Sequence, residues 1–195
     1  MRTIKKIVLV VLMFVTLSNY ANDKKNFNNR VNAKKVKIEF TNVRKGNFLY
    51  IKDVFGFKLY SEEIKTSGNY SKFFDFSLLK MGNYTIELDK STELVKNSFS
   101  KKGKVVLLKK RNLKTINKPV IYLKNNKVFL SKLNFDKQAL NVEVFFNGNL
   151  VHKEVLKSKL NSLYRIYKLQ NSKKGEYKFV VKSNNRNYIQ SFKLK

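Results

Sequence analysis

Apolar and polar residues alternate along much of this chain with a period of two, which is typical of β-strands with one buried face. The clearest run places apolar residues at every second position, Leu140, Val142, Val144 and Phe146. Glycine and asparagine interrupt such runs at short intervals, and no segment has sustained helical periodicity. Several short strands separated by turns predict an all-β fold of the sandwich type.

The chain also aligns with itself, which indicates an internal duplication. Gly56 aligns with Gly148, and Gly82-Asn83-Tyr84 aligns with Gly175-Glu176-Tyr177 after one inserted residue. The apolar positions of the strands agree in the same alignment. We therefore predict two tandem Ig-like antiparallel β-sandwiches.

Composition suggests where the copies begin and end. Residues 34–110 and 119–195 carry the two β-sandwich repeats. Residues 111–118 are basic and precede the only proline, Pro119, which predicts a linker. Residues 22–33 are rich in asparagine and lack periodicity, so we expect a flexible leader.

The first 21 residues have the order of a secretory signal peptide. A basic head that includes Arg2 precedes an apolar run over residues 7–15, and a short polar stretch ends at Ala21, after which we expect cleavage. The apolar run is about half of the ~20 residues that cross a bilayer, so no transmembrane span is predicted after cleavage. An uncleaved interfacial segment is the alternative. The predicted location is the periplasm, the outer-membrane surface or the extracellular space.

Turn and motif residues are the positions we single out as sites, and we expect them to be structural. Asn147-Gly148 is a dipeptide that tolerates the positive φ angles of a tight hairpin turn, and Gly56 replaces it in the first copy. Asp75 is expected to cap a local turn. The full set is Gly56, Asp75, Gly82, Tyr84, Asn147, Gly148, Gly175 and Tyr177.

Residues 74–84 carry the pattern Asp-x-Ser-x-Leu-x-x-Gly-x-Tyr, of which the second copy keeps Gly175 and Tyr177. This pattern resembles the small secreted Ig-like β-sandwich domains of Bacteroidota, including the C-terminal sorting domain of type IX secretion cargo. The resemblance implies a seven-strand sandwich. For a sorting domain it also implies recognition by the secretion machinery, removal and surface attachment. The better copy of the pattern lies in the middle of the chain, which departs from a terminal signal.

The residue inventory argues against catalysis, cofactors and metals. The chain has one histidine, His152, and no cysteine, so it cannot assemble a structural zinc site. The acids are scattered, unlike those of a calcium site. Glu62 and Glu63 are the only adjacent pair of acids. Neighbours on a strand point to opposite faces, which argues against a carboxylate pair of the kind that cleaves glycosides. Glu62 recurs as Glu154, and we expect it to pair with a neighbouring lysine.

The formal net charge of +29 favours an anionic partner, although an AT-rich genome would also produce a composition rich in lysine and asparagine. Residues 164–168 interleave aromatic residues with cations, as a stacking platform or an ordinary basic strand would.

We predict an exported, non-catalytic interaction or structural protein. Its partner would be a protein or an anionic glycan such as lipopolysaccharide, bound through sandwich surfaces and edge strands. Type IX cargo with a C-terminal sorting copy is one alternative. A carbohydrate-binding module is another, which an exposed row of aromatic residues would favour. Export argues against nucleic acid, and the oligomeric state is left open.

Overall fold

The computed structural model describes residues 29–108, 113–169 and 173–194, in which every regular element is a β-strand. These residues contain no helix that could cross a membrane. The predicted signal peptide, residues 1–21, lies outside the described residues. The first part of the chain forms β1 (Asn29–Asn32), β2 (Val36–Val43), β3 (Phe48–Lys52), β4 (Lys58–Glu63), β5 (Gly68–Phe74), β6 (Gly82–Asp89), β7 (Glu93–Lys102), β8 (Val105–Leu108) and β9 (Lys114–Asn117). The second part forms β10 (Val120–Lys124), β11 (Lys127–Leu133), β12 (Leu140–Phe146), β13 (Asn149–Leu156), β14 (Ser162–Lys168), β15 (Gly175–Ser183) and β16 (Arg186–Leu194).

The first copy is a sandwich of two antiparallel sheets. The larger sheet has the order β1-β8-β7-β6-β3-β4, and β9 also pairs with β7. The smaller sheet consists of β2 and β5. Alternate residues of both sheets point into one core, where the Phe99 ring stacks on Phe76 and Tyr84 at centroid distances of 4.9 and 5.2 Å. Burying a side chain such as Phe99 contributes about 2–3 kcal/mol.

The second copy repeats this arrangement with seven strands. A three-stranded sheet, β10-β11-β14, faces a four-stranded sheet, β13-β12-β15-β16. The run of alternate apolar residues on β12 forms part of the core together with Phe179 and Val181 of β15. The predicted all-β class, with two Ig-like antiparallel sandwiches, is confirmed.

The Gly-x-Tyr sequence of each copy lies at one corner of its sandwich. Tyr84 and Tyr177 are buried near the start of β6 and β15. The Tyr84 hydroxyl donates to the backbone carbonyl of Lys80 at 2.8 Å, and the Tyr177 hydroxyl donates to that of Lys173 at 3.5 Å. A tyrosine that returns to the backbone a few residues upstream is the tyrosine corner of Ig-like sandwiches. The motif therefore closes the connection between the two sheets.

The β12–β13 turn explains three of the predicted positions. Asn147 and Gly148 have φ angles of 46° and 86°, as a two-residue hairpin turn requires. The Asn147 side-chain oxygen accepts the amide of Glu176 at 2.9 Å, which holds the turn against β15. A Cβ atom on Gly175 would lie 2.7 Å from that same oxygen, so only glycine allows this approach.

The corresponding positions of the first copy lie in longer connections. Gly56, with φ 88°, is the fourth residue of the five-residue loop between β3 and β4. Asp75 follows β5, and its carboxylate accepts the amide of Ser77 at 2.8 Å. Gly82 is the first residue of β6.

Two segments expected to be irregular contain strands. The predicted leader, residues 22–33, includes β1, which pairs with β8 and places Ala33 in the core. The predicted linker, residues 111–118, includes β9, which pairs with the first half of β7. One of its side chains, Ile116, is buried opposite Leu94 of β7. Both strands are short and mostly polar, so their sequences have no apolar alternation that would predict a strand. They are extended because they pair with β8 and β7.

Candidate functional site

The predicted site residues do not assemble a chemical centre. They occupy the turns and tyrosine corners described above. Among residues 29–108, 113–169 and 173–194, no group of three or more histidine, aspartate or glutamate side chains could hold a metal ion. The features that could bind a partner lie elsewhere, at the open edge of each sandwich and on one sheet face.

In the first sandwich, a hydrogen-bonded cluster around Glu62 spans the edge between β4 and β5. This carboxylate on β4 accepts hydrogen bonds from Tyr60 at 2.5 Å, and from Tyr70 and Lys72 on β5 at 2.9 Å. Because β4 and β5 belong to opposite sheets, the cluster joins the sheets directly. Burial opposes ionisation, but the hydrogen bonds from Lys72 and the tyrosines outweigh it and hold the pKa of Glu62 below its ordinary value.

The second sandwich has an equivalent cluster. Glu154 on β13 lies 3.2 Å from Arg165 on β14 and 3.2 Å from His152. The pairing with lysine that the repeat predicted is found for Glu62, whereas Glu154 pairs with an arginine. His152 stands on an outer strand with about half of its side chain exposed.

Beside this second cluster lies a groove of about 450 Å³, which we call the open-edge groove. Its floor consists of inward side chains of the core, and its rim is charged or polar. The floor includes Val144, Phe146 and Phe179, and the rim includes His152, Arg165 and Lys168. Pockets of this size, with an apolar floor and few polar groups, are typical of ligand sites.

The groove follows from smaller side chains in the second copy. The strand registers place Leu169 where the first copy has Phe76, and the sequence alignment places His152 where it has Tyr60. In the first copy both aromatic rings pack against the core. The buried hydroxyl of Tyr167 also lines the groove, where burial and the neighbouring Glu154 carboxylate raise its pKa.

An outer strand flanks the groove. Among the described strands, β13 pairs only with β12, so its other edge has free backbone donors and acceptors. The side chains of Leu150, Val151 and Val155 are exposed along it. The register shifts at Val151, which forms a β-bulge, and β4 has the same shift at Leu59.

The outer face of β10-β11-β14 carries an exposed apolar patch, which we call the aromatic platform. Tyr122, Phe129 and Ile166 are direct neighbours across the three strands. The Tyr122 and Phe129 rings stack at 5.0 Å, only 7° from parallel. Val120 and Tyr164 extend the patch and are exposed. Within the interleaved segment 164–168, Tyr164 points outward onto this patch and Tyr167 points inward to the core. The first fits a stacking platform, and the second fits the ordinary alternation of a basic strand.

Sequence reasoning identified the segment that borders both surfaces but missed the groove. A usable signal was present, because the repeat alignment shows Tyr60 replaced by His152. Replacing tyrosine by histidine leaves an empty volume only if no other side chain fills it, and the sequence does not show which core residues face this position.

No protein family and no curated protein matches this chain significantly. One solved structure that it resembles is described as "Biofilm associated protein - BSP domain", at 10% sequence identity and a TM-score of 0.27. The match covers 84% of this chain and 28% of that chain. The chain therefore spans under a third of the neighbour's length. A likeness this low supports no functional argument, and the function has to be inferred from the surfaces of this chain.

Proposed function

We propose that this chain is an exported, non-catalytic interaction protein whose second sandwich binds an extended segment of a partner protein. The observation that carries this proposal is the open-edge groove, which lies between β13 and β14, the outer strands of two facing sheets. A peptide that pairs with β13 would place alternate side chains toward the groove. Export rests on the signal-like residues 1–21, and the relation to type IX sorting domains stays a prediction.

The chemistry of the groove suits an apolar anchor with an acidic neighbour. Its floor is hydrocarbon, so an inserted aliphatic or aromatic side chain would be removed from water. Lys168 on the rim and the net charge of +29 favour acidic residues beside that anchor. Glu154 is engaged with Arg165 and is not a free base next to His152, which supports a binding role over acid–base chemistry.

A second candidate is carbohydrate binding through the aromatic platform. The parallel rings of Tyr122 and Phe129 form the exposed aromatic row that this alternative requires. The first copy has Lys37 at the position of Phe129, so the platform belongs to the second sandwich alone. Flat aromatic surfaces stack on sugar rings as they stack on other planar or apolar faces.

The two candidates can be separated with a variant that copies the first sandwich. His152→Tyr with Leu169→Phe fills the groove with side chains that the same fold already accommodates. Tyr122→Ser with Tyr164→Ser removes the platform and leaves the groove intact. Thermal unfolding by circular dichroism establishes that both variants are folded.

Each protein is then used to capture partners from the host's envelope fraction, with quantitative mass spectrometry and glycan analysis. We expect a protein that the wild type retains and that the groove-filled variant loses at least about tenfold, which corresponds to about 1.4 kcal/mol. Hydrogen exchange of the complex should show protection along β13. Equal retention by the groove-filled variant, or no retained protein, contradicts the proposal, and loss of a glycan only in the platform variant favours the second candidate.

A further inference from the structure

One end of the first sandwich is covered with exposed apolar side chains. The loops between β3 and β4 and between β5 and β6 meet there, because Lys52 at the end of β3 pairs with Thr85 near the start of β6. Val54 lines a shallow pocket with Asn83 and Thr85, which places the first loop directly beside β6. The exposed apolar residues of the two loops are Val54, Phe55, Phe57, Leu78 and Met81.

The same end is strongly basic. Six exposed lysines lie there, in the β1–β2 connection, at the start of β4, in the β5–β6 loop, at the end of β7 and in the β7–β8 connection. They are Lys34, Lys35, Lys58, Lys80, Lys102 and Lys104. Among the described residues, none of them forms an ion pair with an acid. We call the five apolar residues and six lysines the basic–apolar end.

The exposure of these apolar side chains is unusually complete. Phe55 is 84% exposed, Phe57 is 69% exposed and Leu78 is 97% exposed. Single exposed apolar residues are common, but a contiguous group rimmed by polar residues marks a protein or membrane contact.

The apolar loop is also held in shape. The Asp53 carboxylate accepts the backbone amides of Phe55 and Phe57, each at 2.9 Å. Asp75 is likewise occupied by the amide of Ser77. The acids at this end therefore fix the loops and neutralise none of the six lysines through an ion pair, although Lys35 and Lys58 lie over the rings of Phe73 and Tyr50.

The fold does not require this surface. The second copy has Asn147 where the first has Phe55, and Asn149 where it has Phe57. Its β12–β13 turn has two residues instead of five, and Asn147 and Asn149 are polar and exposed. The aromatic residues are thus a feature of the first copy alone, and packing of the sandwich does not explain them.

We propose that the basic–apolar end docks the protein on a membrane surface that carries anionic headgroups. Phe55, Phe57 and Leu78 would enter the boundary between headgroups and acyl chains, and the lysines would lie against lipid phosphates. A membrane surface of this kind accounts for the exposed apolar side chains and for the lysines together. A second copy of the chain is a poor occupant, because it would bring six more lysines to the contact. This site lies on the first sandwich and the open-edge groove lies on the second, so the result of either test leaves the other proposal unaffected.

The test uses residues 22–195, the chain that remains after the predicted signal cleavage, and vesicles of phosphatidylglycerol mixed with phosphatidylcholine. Vesicles of pure phosphatidylcholine serve for comparison. We expect flotation with the anionic vesicles, weakening as salt rises above about 0.1 M. Phe55→Asn with Phe57→Asn, the residues of the second copy, should reduce partitioning at least about tenfold. Leu160→Asn with Ile189→Asn removes two apolar side chains of the second sandwich that are 71% and 61% exposed and should leave partitioning unchanged.

A tryptophan reports the depth of insertion directly, because the chain has none. Phe55→Trp should shift its fluorescence to the blue on vesicles and be quenched by brominated acyl chains, whereas Leu160→Trp should not. Unchanged fluorescence of Phe55→Trp on anionic vesicles overturns the proposal. So does equal flotation of the double asparagine variant, or a dimer in light scattering that this variant abolishes. Binding to soluble heparin with no flotation would show that only the charge is used, which also overturns it.

Discussion

Replacement of Glu87 by glutamine tests how the first sandwich is stabilised on its outer face. Glu87 alternates on β6 with the core residues Ile86 and Leu88, so it projects from the opposite face of the sheet. Its side chain is nevertheless only 3% exposed. It is covered by Lys52 at 2.5 Å, by Lys96 at 3.0 Å and, from β16 of the second sandwich, by Arg186 at 3.1 Å.

The magnitude follows from the electrostatics of this cluster. Burial alone would raise the pKa of Glu87, but hydrogen bonds from Lys52 and Lys96 and the charge of Arg186 lower it from 4.5 to about 2. Each pKa unit corresponds to about 1.4 kcal/mol, so the ionised carboxylate stabilises the folded state by about 3 kcal/mol. Breaking a buried ion pair costs a similar amount, about 3–5 kcal/mol.

The pH dependence has a definite sign. Because the folded-state pKa is the lower one, the stabilisation is complete above the unfolded-state pKa and is lost as pH falls toward about 2. Glu87→Gln should therefore be about 3 kcal/mol less stable at neutral pH and should approach the wild type near pH 2. Its stability should also change less than that of the wild type across this window.

Urea unfolding at several pH values, followed by hydrogen exchange in peptides from β3 and β6, measures the first sandwich separately. Glu39→Gln is the matched control, because Glu39 forms an exposed pair with Lys37 at 2.6 Å and should change stability by less than about 0.5 kcal/mol. If Glu87→Gln is no more destabilising than this control at neutral pH, the cluster does not stabilise the fold and the reasoning fails.

Two further pairs of variants test the corners and turns by thermal and urea unfolding. Tyr84→Phe should cost about 1–1.5 kcal/mol because it loses a 2.8 Å hydrogen bond, and Tyr177→Phe should cost less because its contact is 3.5 Å long. Equal costs would contradict the expectation that the shorter hydroxyl contact contributes more. Gly175→Ala should cost about 1–3 kcal/mol through its clash with Asn147, and Gly148→Ala about 1 kcal/mol through its φ of 86° alone. A reversed order of these two would contradict the close approach of the turns.

The strand pattern was predictable wherever one face of a strand is buried. Alternation on β12 and the alignment of Gly82 with Gly175 locate equivalent strands in both copies, since burial imposes the same period on each. The strands β1 and β9 were not predictable. Each is short, and each acquires its conformation by pairing with a strand whose position the local sequence does not encode.

The candidate surfaces were less accessible to sequence reasoning than the fold. The open-edge groove depends on Leu169 being smaller than Phe76 at a place where two sheets face each other. The basic–apolar end depends on topology, because Phe55 and Leu78 belong to different loops that meet only through the pairing of β3 with β6. The difference between Phe57 and Asn149 was visible in the alignment, but its meaning required the exposure of both side chains.

Strand β9 has a mechanical consequence for the junction between the two sandwiches. It is hydrogen-bonded to β7, and the amide of Lys118 donates to Thr92 at 2.8 Å, so the first sandwich holds the chain until only Pro119 remains before β10. Tension applied to the second sandwich thus passes into the ladder of β7 and β9 along the strand direction. The two sandwiches bear load in series, with almost no slack between them.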